Sequence, residues 1–150
     1  MNDLKNQVFE KAKSLLTEKM LVAKAEMEAA QASANTEDKS SAGDKYETGR
    51  AMAQRERDMY AKQFDQISSE LAILNRIDPK QPSAFVNIGS LISTNFGYYF
   101  LSVSIGKLII SEQEITIISK SSPIGKFLFG KKVGENFDFL GKNIEIKTIF

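Results

Sequence analysis

The chain has 150 residues, of which 42% are hydrophobic, and a formal net charge of +1 at pH 7; this indicates a globular protein of one ordinary domain or two small ones. It contains no Cys and no His, which excludes a disulfide framework, a thiolate zinc site and a nucleophile activated by an imidazole base. No apolar run approaches the roughly 18 residues of a membrane span, and the N-terminus lacks the apolar core of a signal peptide, so we expect a soluble, cytoplasmic protein.

Residues 3–33 predict a long first helix. They contain no Gly and no Pro and are rich in Ala, Leu, Met, Glu and Lys, which are strong helix formers. Apolar residues recur at steps of three, four or seven, which predicts one stripe along the helix. The residues of this stripe are Leu4, Val8, Ala12, Leu15, Val22, Ala25, Ala29 and Ala32.

Residues 44–77 predict a second long helix, which ends because the residue before Pro79 is disfavoured in the helical region. Its stripe comprises Met52, Met59 or Tyr60, Phe64, Ile67, Leu71 and Leu74. We interpret residues 1–78 as an antiparallel two-helix coiled-coil hairpin whose facing residues become small toward its turn. The alternative is a plain coiled coil that serves as an interaction or dimerisation element.

The polar stretch at 35–47 forms the predicted tip of the hairpin. It has no large aliphatic residue and carries four carboxylates, on Glu37, Asp38, Asp44 and Glu47. These carboxylates are either the functional end of the hairpin or only solvated charges on a turn.

A short proline-containing linker at 79–83 precedes a region in which the apolar period changes to two. Strands are predicted at 85–92, with a break near Gly89, at 98–105, and at 115–118, with a turn at Gly106. Ser122 and Pro123 predict the start of a short helix at 124–129 that Gly130 stops, and a final hairpin turns at Gly141. Residues 84–150 are therefore predicted to form a small antiparallel sheet with one short helix, which makes the whole chain α+β.

The segment from Ser121 to Glu135 reads S-S-P-I-G-K-F-L-F-G-K-K-V-G-E and resembles the C-terminal signature of the GreA/GreB transcript cleavage factors. The preceding F-V-N-I-G-S-L-I and the closing I-E-I-K-T-I resemble the first and last strands of the same domain. The order of a long hairpin and then this domain is also that of the family. The residues that match the signature are Ser122, Pro123, Ile124, Gly125, Leu128, Phe129, Gly130, Lys131 and Gly134, with Glu135 at the acidic position.

The resemblance implies an FKBP-like C-terminal domain that docks on bacterial RNA polymerase, and a hairpin that enters the polymerase's secondary channel. Residues implied in docking are Ser122, Pro123, Ile124, Gly125, Lys126 and Lys131. In that family, acidic residues at the tip of the hairpin help to hold a Mg²⁺ ion that belongs to the polymerase complex; our candidates for this role are Asp38 and Asp44, with Glu37 and Glu47 behind them. We therefore expect a monomeric accessory factor and not an enzyme, with no tightly bound cofactor and only indirect contact with RNA and DNA.

The tip departs from the family pattern. When Tyr46 is aligned with the family's tyrosine, the two acidic positions fall on Ala42 and Lys39, and the run at 43–48 looks more like a divergent Gre-like subgroup. Two functions stay open: stimulation of the cleavage of backtracked RNA, or occupation of the channel without cleavage, in competition with Gre- and Dks-type factors. A prolyl isomerase is a third alternative, although no proline pocket can be recognised in the sequence.

Overall fold

The computed structural model describes the backbone of residues 2–38 and 44–150 and the side chains of residues 3–35 and 48–150. This part of the chain forms three helices and six strands, which confirms the α+β class. The helices are α1 (Asn2–Asp38), α2 (Asp44–Asn75) and α3 (Pro123–Leu128), and the strands are β1 (Leu91–Thr94), β2 (Gly97–Ser102), β3 (Gly106–Ile110), β4 (Gln113–Ser119), β5 (Asn136–Phe139) and β6 (Lys142–Ile149).

The chain divides into two compact units. The helical unit comprises Leu15–Leu71, and the sheet unit comprises Ala72–Phe150 together with Met1–Ser14. The start of α1, the end of α2 and the predicted linker at 79–83 therefore all belong to the sheet unit. This division differs from domains that follow one another along the chain.

Within the helical unit, α1 and α2 run antiparallel. Arg57 donates a hydrogen bond to the amide oxygen of Gln31 over 3.1 Å, and the hydroxyl of Ser68 lies 3.8 Å from the sulfur of Met20. Between these two pairs the α2 partner advances by eleven residues while the α1 partner retreats by eleven. The helical hairpin predicted from the sequence is thus formed within one chain.

The interface between the two helices follows a regular four–three spacing, as in a coiled coil. The residues at this spacing are buried or half-buried: on α1 they are Leu16, Met20, Ala23, Met27, Ala30 and Ala34, and on α2 they are Ala53, Arg57, Tyr60, Phe64, Ile67, Leu71 and Leu74. The small residues Ala30, Ala34 and Ala53 lie toward the turn, as the sequence predicts.

The predicted α1 stripe is wrong beyond Leu15. Val22, Ala25, Ala29 and Ala32 are exposed, and the residues that face α2 are offset from them by one or two positions. The reason is that α1 carries two apolar stripes, and the spacing of apolar residues does not tell which of them meets α2. On α2 the prediction fails only at Met52, which is exposed; of the alternatives Met59 and Tyr60, the half-buried residue is Tyr60.

The six strands form one sheet in the order β3-β4-β2-β1-β6-β5. All neighbouring strands are antiparallel except β2 and β4, which are parallel, so the prediction of a purely antiparallel sheet is wrong at this pair. Gly106 begins β3 instead of making a turn. A strand that followed β2 directly after one turn would run antiparallel to it. The chain instead forms β3 first, and β4 pairs antiparallel with β3, so β4 runs parallel to β2.

The other predicted elements of the sheet unit are largely confirmed. The first strand begins later than expected, at Leu91, and Val86 instead exchanges backbone hydrogen bonds of 2.8 Å with Gly130 and Lys131. The last hairpin turns at Leu140 and Gly141, both with positive φ, as expected for a two-residue turn whose twist matches its strands.

Both faces of the sheet are buried near its centre. One face contributes a cluster that includes Ile92, Leu101, Ile118 and Ile146, together with Leu128 of α3. Leu91, Phe100 and Ile117 are each one position away from one of these residues along a strand; they point to the other face, as does Ile115, and all four are also buried. The start of α1 contacts this unit through Gln7, whose amide oxygen accepts a hydrogen bond from Ser111 over 2.6 Å.

Candidate partner-docking site

The residues that carry the predicted tip carboxylates belong to the end of α1 and the start of α2. The backbone of α1 ends at Asp38 and that of α2 begins at Asp44, so Glu37 and Glu47 belong to the last and first turns of the two helices. The side chains of all four residues lie outside the described residues. The chain from Lys39 to Gly43 lies outside them altogether.

The start of α3 is fixed by Ser122. Its hydroxyl accepts a hydrogen bond from the backbone N–H of Gly125 over 3.0 Å and donates one to the carbonyl of Ser119 over 2.7 Å. Pro123 follows at the first helical position, where its missing N–H costs nothing and its fixed φ suits the helix. The Ser-Pro pair of the motif therefore sets the position of the helix.

Gly125 is buried and leaves no room for a side chain. A Cβ atom at this position would overlap the carbonyl oxygen of Ser119 and lie 2.7 Å from the hydroxyl of Ser122. This close approach lets α3 pack directly on the end of β4. Ser122 and Gly125 thus support the helix from inside, while Pro123 and Lys126 of the predicted docking set are exposed and Ile124 is half-buried.

An aromatic cluster extends the exposed face of α3. The ring of Phe127, which is 45% exposed, stacks on Phe137 with centroids 5.5 Å apart. It meets Phe139 edge-on at 5.9 Å. An exposed aromatic ring held by two others is a rigid apolar anchor of the kind that is enriched at protein interfaces.

One lysine lies against this cluster, and another lies against the neighbouring Phe129. The ammonium of Lys131 lies 5.8 Å from the centroid of Phe137, and that of Lys120 lies 3.9 Å from the centroid of Phe129. Lys126 projects from α3 itself. We call Pro123, Lys126 and Phe127, with Lys120 and Lys131 beside them, the α3 surface; it combines an apolar anchor with positive charge and suits an acidic partner.

A cavity of about 530 Å³ opens beside α3 on the same face of the sheet. Its walls include Phe96, Tyr99, Ile124 and Phe139. At its rim Lys107 forms an exposed ion pair of 3.4 Å with Glu114. Burial raises the pKa of the Tyr99 hydroxyl, and the negative charge of Glu114 raises it further.

Sequence reasoning did not identify Phe127 or Lys120 as site residues. A signal was present for Phe127, because Phe137 and Phe139 are two residues apart and therefore share one face of their strand. Their common face had to be covered by something, but the segment 121–135 offers both Phe127 and Phe129, and only the fold shows that Phe127 covers it. Lys120 had no such signal, since only the fold brings it to Phe129.

Among the described residues, no three side chains of the types that bind metals lie together. In the same part of the chain, no helix combines the length and the apolar character needed to cross a membrane. The geometry defines an α+β protein with a helical hairpin, a six-stranded mixed sheet and an exposed surface of aromatic and basic residues on α3.

No family model matches the chain, and no match was found among curated proteins. Among solved structures, the chain is similar to one described as that of the transcription factor Gfh1. The two share 17% sequence identity with a TM-score of 0.37, and the alignment covers 91% of this chain and 92% of that chain.

Proposed function

We propose that the chain is an accessory factor that binds bacterial RNA polymerase through the α3 surface and acts on its active centre through the acidic end of the helical hairpin. The observation that carries this proposal is the pairing of α1 with α2. Because α1 ends at Asp38 and the antiparallel α2 begins at Asp44, the acidic residues of the polar stretch belong to one end of one hairpin. The resemblance of the segment 121–135 to the GreA/GreB signature supports polymerase as the partner.

The α3 surface supports the docking role. The half-buried Ser122 and the buried Gly125 of the signature support α3, and Lys126 and Phe127, which lie between signature residues, are exposed. Lysines next to an aromatic anchor favour an acidic protein surface, because complementary charge steers association while the buried ring supplies affinity.

The tip supports the regulatory role through the chemistry of its side chains. Mg²⁺ prefers carboxylate oxygens and retains several waters, so Asp38 and Asp44 fit as partial ligands for an ion shared with polymerase. Such an ion, when bound, lowers the pKa of a coordinated water and stabilises a leaving oxygen. This chain's own part is to deliver the carboxylates on a paired helical support, without being an enzyme itself.

The test uses purified polymerase in a backtracked elongation complex. We expect the chain to accelerate Mg²⁺-dependent shortening of the RNA, and the pair Asp38→Asn and Asp44→Asn to abolish this effect while polymerase affinity is retained. The control pair Glu28→Gln and Asp65→Asn removes the same charge from exposed positions elsewhere on the hairpin and should leave the effect intact. Loss of polymerase binding in the tip variant, with its helix content preserved, would assign the tip a docking role and refute this division of labour.

The second candidate is a regulator that occupies the channel without stimulating cleavage. It is favoured by Lys39 and Ala42, which stand where the resembling family has acidic residues. In the same assay this candidate predicts retained binding, no RNA shortening, and inhibition of an added cleavage factor. The two outcomes cannot occur together in one preparation, so the experiment decides between them.

A further inference from the structure

The helical unit has an apolar groove of about 450 Å³ along one side of α1 and α2. Leu15, Val22 and Ala23 of α1 and Ile67 of α2 contribute its apolar lining. The side chain of Val22 is 57% exposed, so the groove is open to solvent. Its open side can accept a further element.

The α1 side of this groove has the pattern of a helix-packing interface. Leu15, Val22 and Ala29 are spaced by seven residues, and Ala25 lies between the last two at a step of three, which is the spacing that places residues along one seam. The α1–α2 interface uses the other apolar stripe of α1, through Leu16. The stripe predicted from the sequence, which contains Val22, Ala25 and Ala29, is thus the one that α2 leaves uncovered.

The borders of the groove are acidic. Glu18 and Glu26 line it together with a single cation, Lys19. Glu56 and Glu70 lie seven residues before and after the lining residue Gln63 and so lie on the same side of α2. The ion pairs of Arg57 with Asp58 and of Lys107 with Glu114 include none of these four glutamates.

We propose that this groove binds a third helix, supplied by a partner protein, with small or apolar residues along its seam and Lys or Arg on both flanks. Apolar side chains would cover Val22 and Leu15, and the basic flanks would face Glu18, Glu26 and Glu70. A second copy of the chain is disfavoured as the occupant, because two such grooves would bring their carboxylates together. This inference is independent of the proposed polymerase function.

The probe is a synthetic amphipathic peptide of three heptads with Ala and Leu along its seam and Lys at both flanking positions, labelled for fluorescence anisotropy against the full chain. We expect saturable binding that weakens as salt is raised, since the flanking charges are exposed and screened. A peptide with the same seam and Glu at the flanks should not bind. Absence of binding by the Lys peptide, or equal binding by the two peptides, would overturn the proposal.

Two neighbouring residues provide a matched pair of variants. Val22 lines the groove, whereas Leu21 does not line it, lies about 100° away around the helix and is equally exposed, at 59% against 57%. Val22→Asp should weaken binding of the Lys peptide by about tenfold or more, since it places a charge against the apolar seam. Leu21→Asp should leave binding within about twofold, and circular dichroism should show both variants equally helical.

Equal effects of the two variants, or a larger effect of Leu21→Asp, would place the peptide elsewhere and overturn the assignment. Sedimentation velocity provides the remaining outcome. If the unmodified chain is a dimer that Val22→Asp dissociates and Leu21→Asp does not, the occupant is a second copy and the proposed basic partner helix is wrong.

Discussion

The ammonium group of Lys5 donates a hydrogen bond to the backbone carbonyl of Gln81 over 2.9 Å, across 76 residues of sequence. The Lys5 side chain is almost fully buried, with 2% of the residue exposed. Burial lowers its pKa from the ordinary value of 10.5, and the negative charge of Asp78 opposes this shift. A buried cation thus joins the first turns of α1 to the loop that follows α2, within the sheet unit.

The buried Lys5 predicts that the free energy of unfolding rises with pH in the alkaline range, which we call the alkaline rise. In the interval between the lowered pKa and 10.5, Lys5 has lost its proton in the folded protein but still binds it in the unfolded chain. Because the unfolded state then binds more protons, the free energy of unfolding increases with pH across that interval. Lys5→Met should abolish this contribution, as measured by urea unfolding at a series of pH values up to 10.5.

At neutral pH we expect Lys5→Met to change the free energy of unfolding by no more than about 1 kcal/mol, because two effects oppose each other. The variant removes the cost of burying an ammonium group. It also loses a hydrogen bond worth about 1 kcal/mol, although the carbonyl of the exposed Gln81 can bond to water instead. Lys11→Met, at an exposed position of the same helix, is the control and should retain the alkaline rise.

Tyr99 predicts that the free energy of unfolding falls as pH rises above 10.0. Burial and, second, the charge of Glu114 raise the pKa of its hydroxyl above the ordinary value of 10.0. Above pH 10.0 the unfolded chain therefore releases this proton before the folded protein does, and stability falls as pH rises toward the raised pKa. Tyr99→Phe should remove this fall, and Glu114→Gln should reduce it only in part, because burial is the larger cause.

Ultraviolet absorbance of the tyrosinate measures the same group directly. The difference between the unmodified chain and Tyr99→Phe isolates Tyr99 from the other three tyrosines. A Tyr99 titration with its midpoint at or below 10.0 would contradict the burial of this hydroxyl beside the cavity.

Arg57 interrupts the apolar interface between α1 and α2. It occupies an inward position of α2, and its Nε atom is buried with no hydrogen-bond partner, while its terminal nitrogens bond to Gln31 and Asp58. Removing a poorly satisfied cation from an apolar interface is often neutral or stabilising. We expect the double variant Arg57→Leu and Gln31→Leu to raise the free energy of unfolding of the hairpin by about 1 kcal/mol.

The polar pair has a second expected effect, on specificity. A polar residue at an inward coiled-coil position can fix register at a cost in stability. The double variant should therefore be more stable in thermal unfolding followed by circular dichroism and also more prone to dimerise in sedimentation experiments. A large loss of stability would instead identify the Arg57–Gln31 bond as a major support of the hairpin.

The capping of α3 predicts a graded series at Ser122. Ser122→Ala removes both hydrogen bonds of the hydroxyl and should cost about 1 kcal/mol, the usual loss for such a cap. Ser122→Thr keeps a hydroxyl that can accept from Gly125 and donate to Ser119, so it should restore most of the stability. Ser122→Asp can accept but cannot donate, and its charge would face the carbonyl of Ser119; it should fall between the two in urea unfolding.

The sequence was sufficient for elements that local chemistry determines. The start of α3 followed from Ser122 and Pro123, and the last turn followed from Gly141, because capping and positive φ are properties of a few adjacent residues. The hairpin followed from two long helical patterns joined by a polar stretch. In each case no distant contact was needed.

The failures share a different cause, namely dependence on distant parts of the chain. Val22 and Ala23 are both apolar residues of one helix, and only the position of α2 decides which of them is buried. The parallel pairing of β2 with β4 required β3, whose first residue, Gly106, has positive φ and reads locally as a turn. On the α3 surface, the spacing of Phe137 and Phe139 indicates a shared face, but only the fold shows that Phe127 covers it.

The α3 surface predicts which side chains contact the proposed polymerase partner. Phe127→Ala removes the ring that stacks on Phe137 and meets Phe139 edge-on, and Lys126→Ala removes a neighbouring exposed charge. If this surface docks on an acidic region of polymerase, Phe127→Ala should weaken binding by about tenfold or more, since a central aromatic anchor typically contributes more than 1 kcal/mol. Lys126→Ala should act chiefly on the association rate and on its salt dependence.

Lys80→Ala, which removes the same charge from an exposed site that precedes the sheet, is the matched control for Lys126. If folded Phe127→Ala binds polymerase as tightly as the unmodified chain in surface plasmon resonance, polymerase contact belongs to another part of the chain. If Lys126→Ala and Lys80→Ala have equal effects on binding, Lys126 contributes only through net charge.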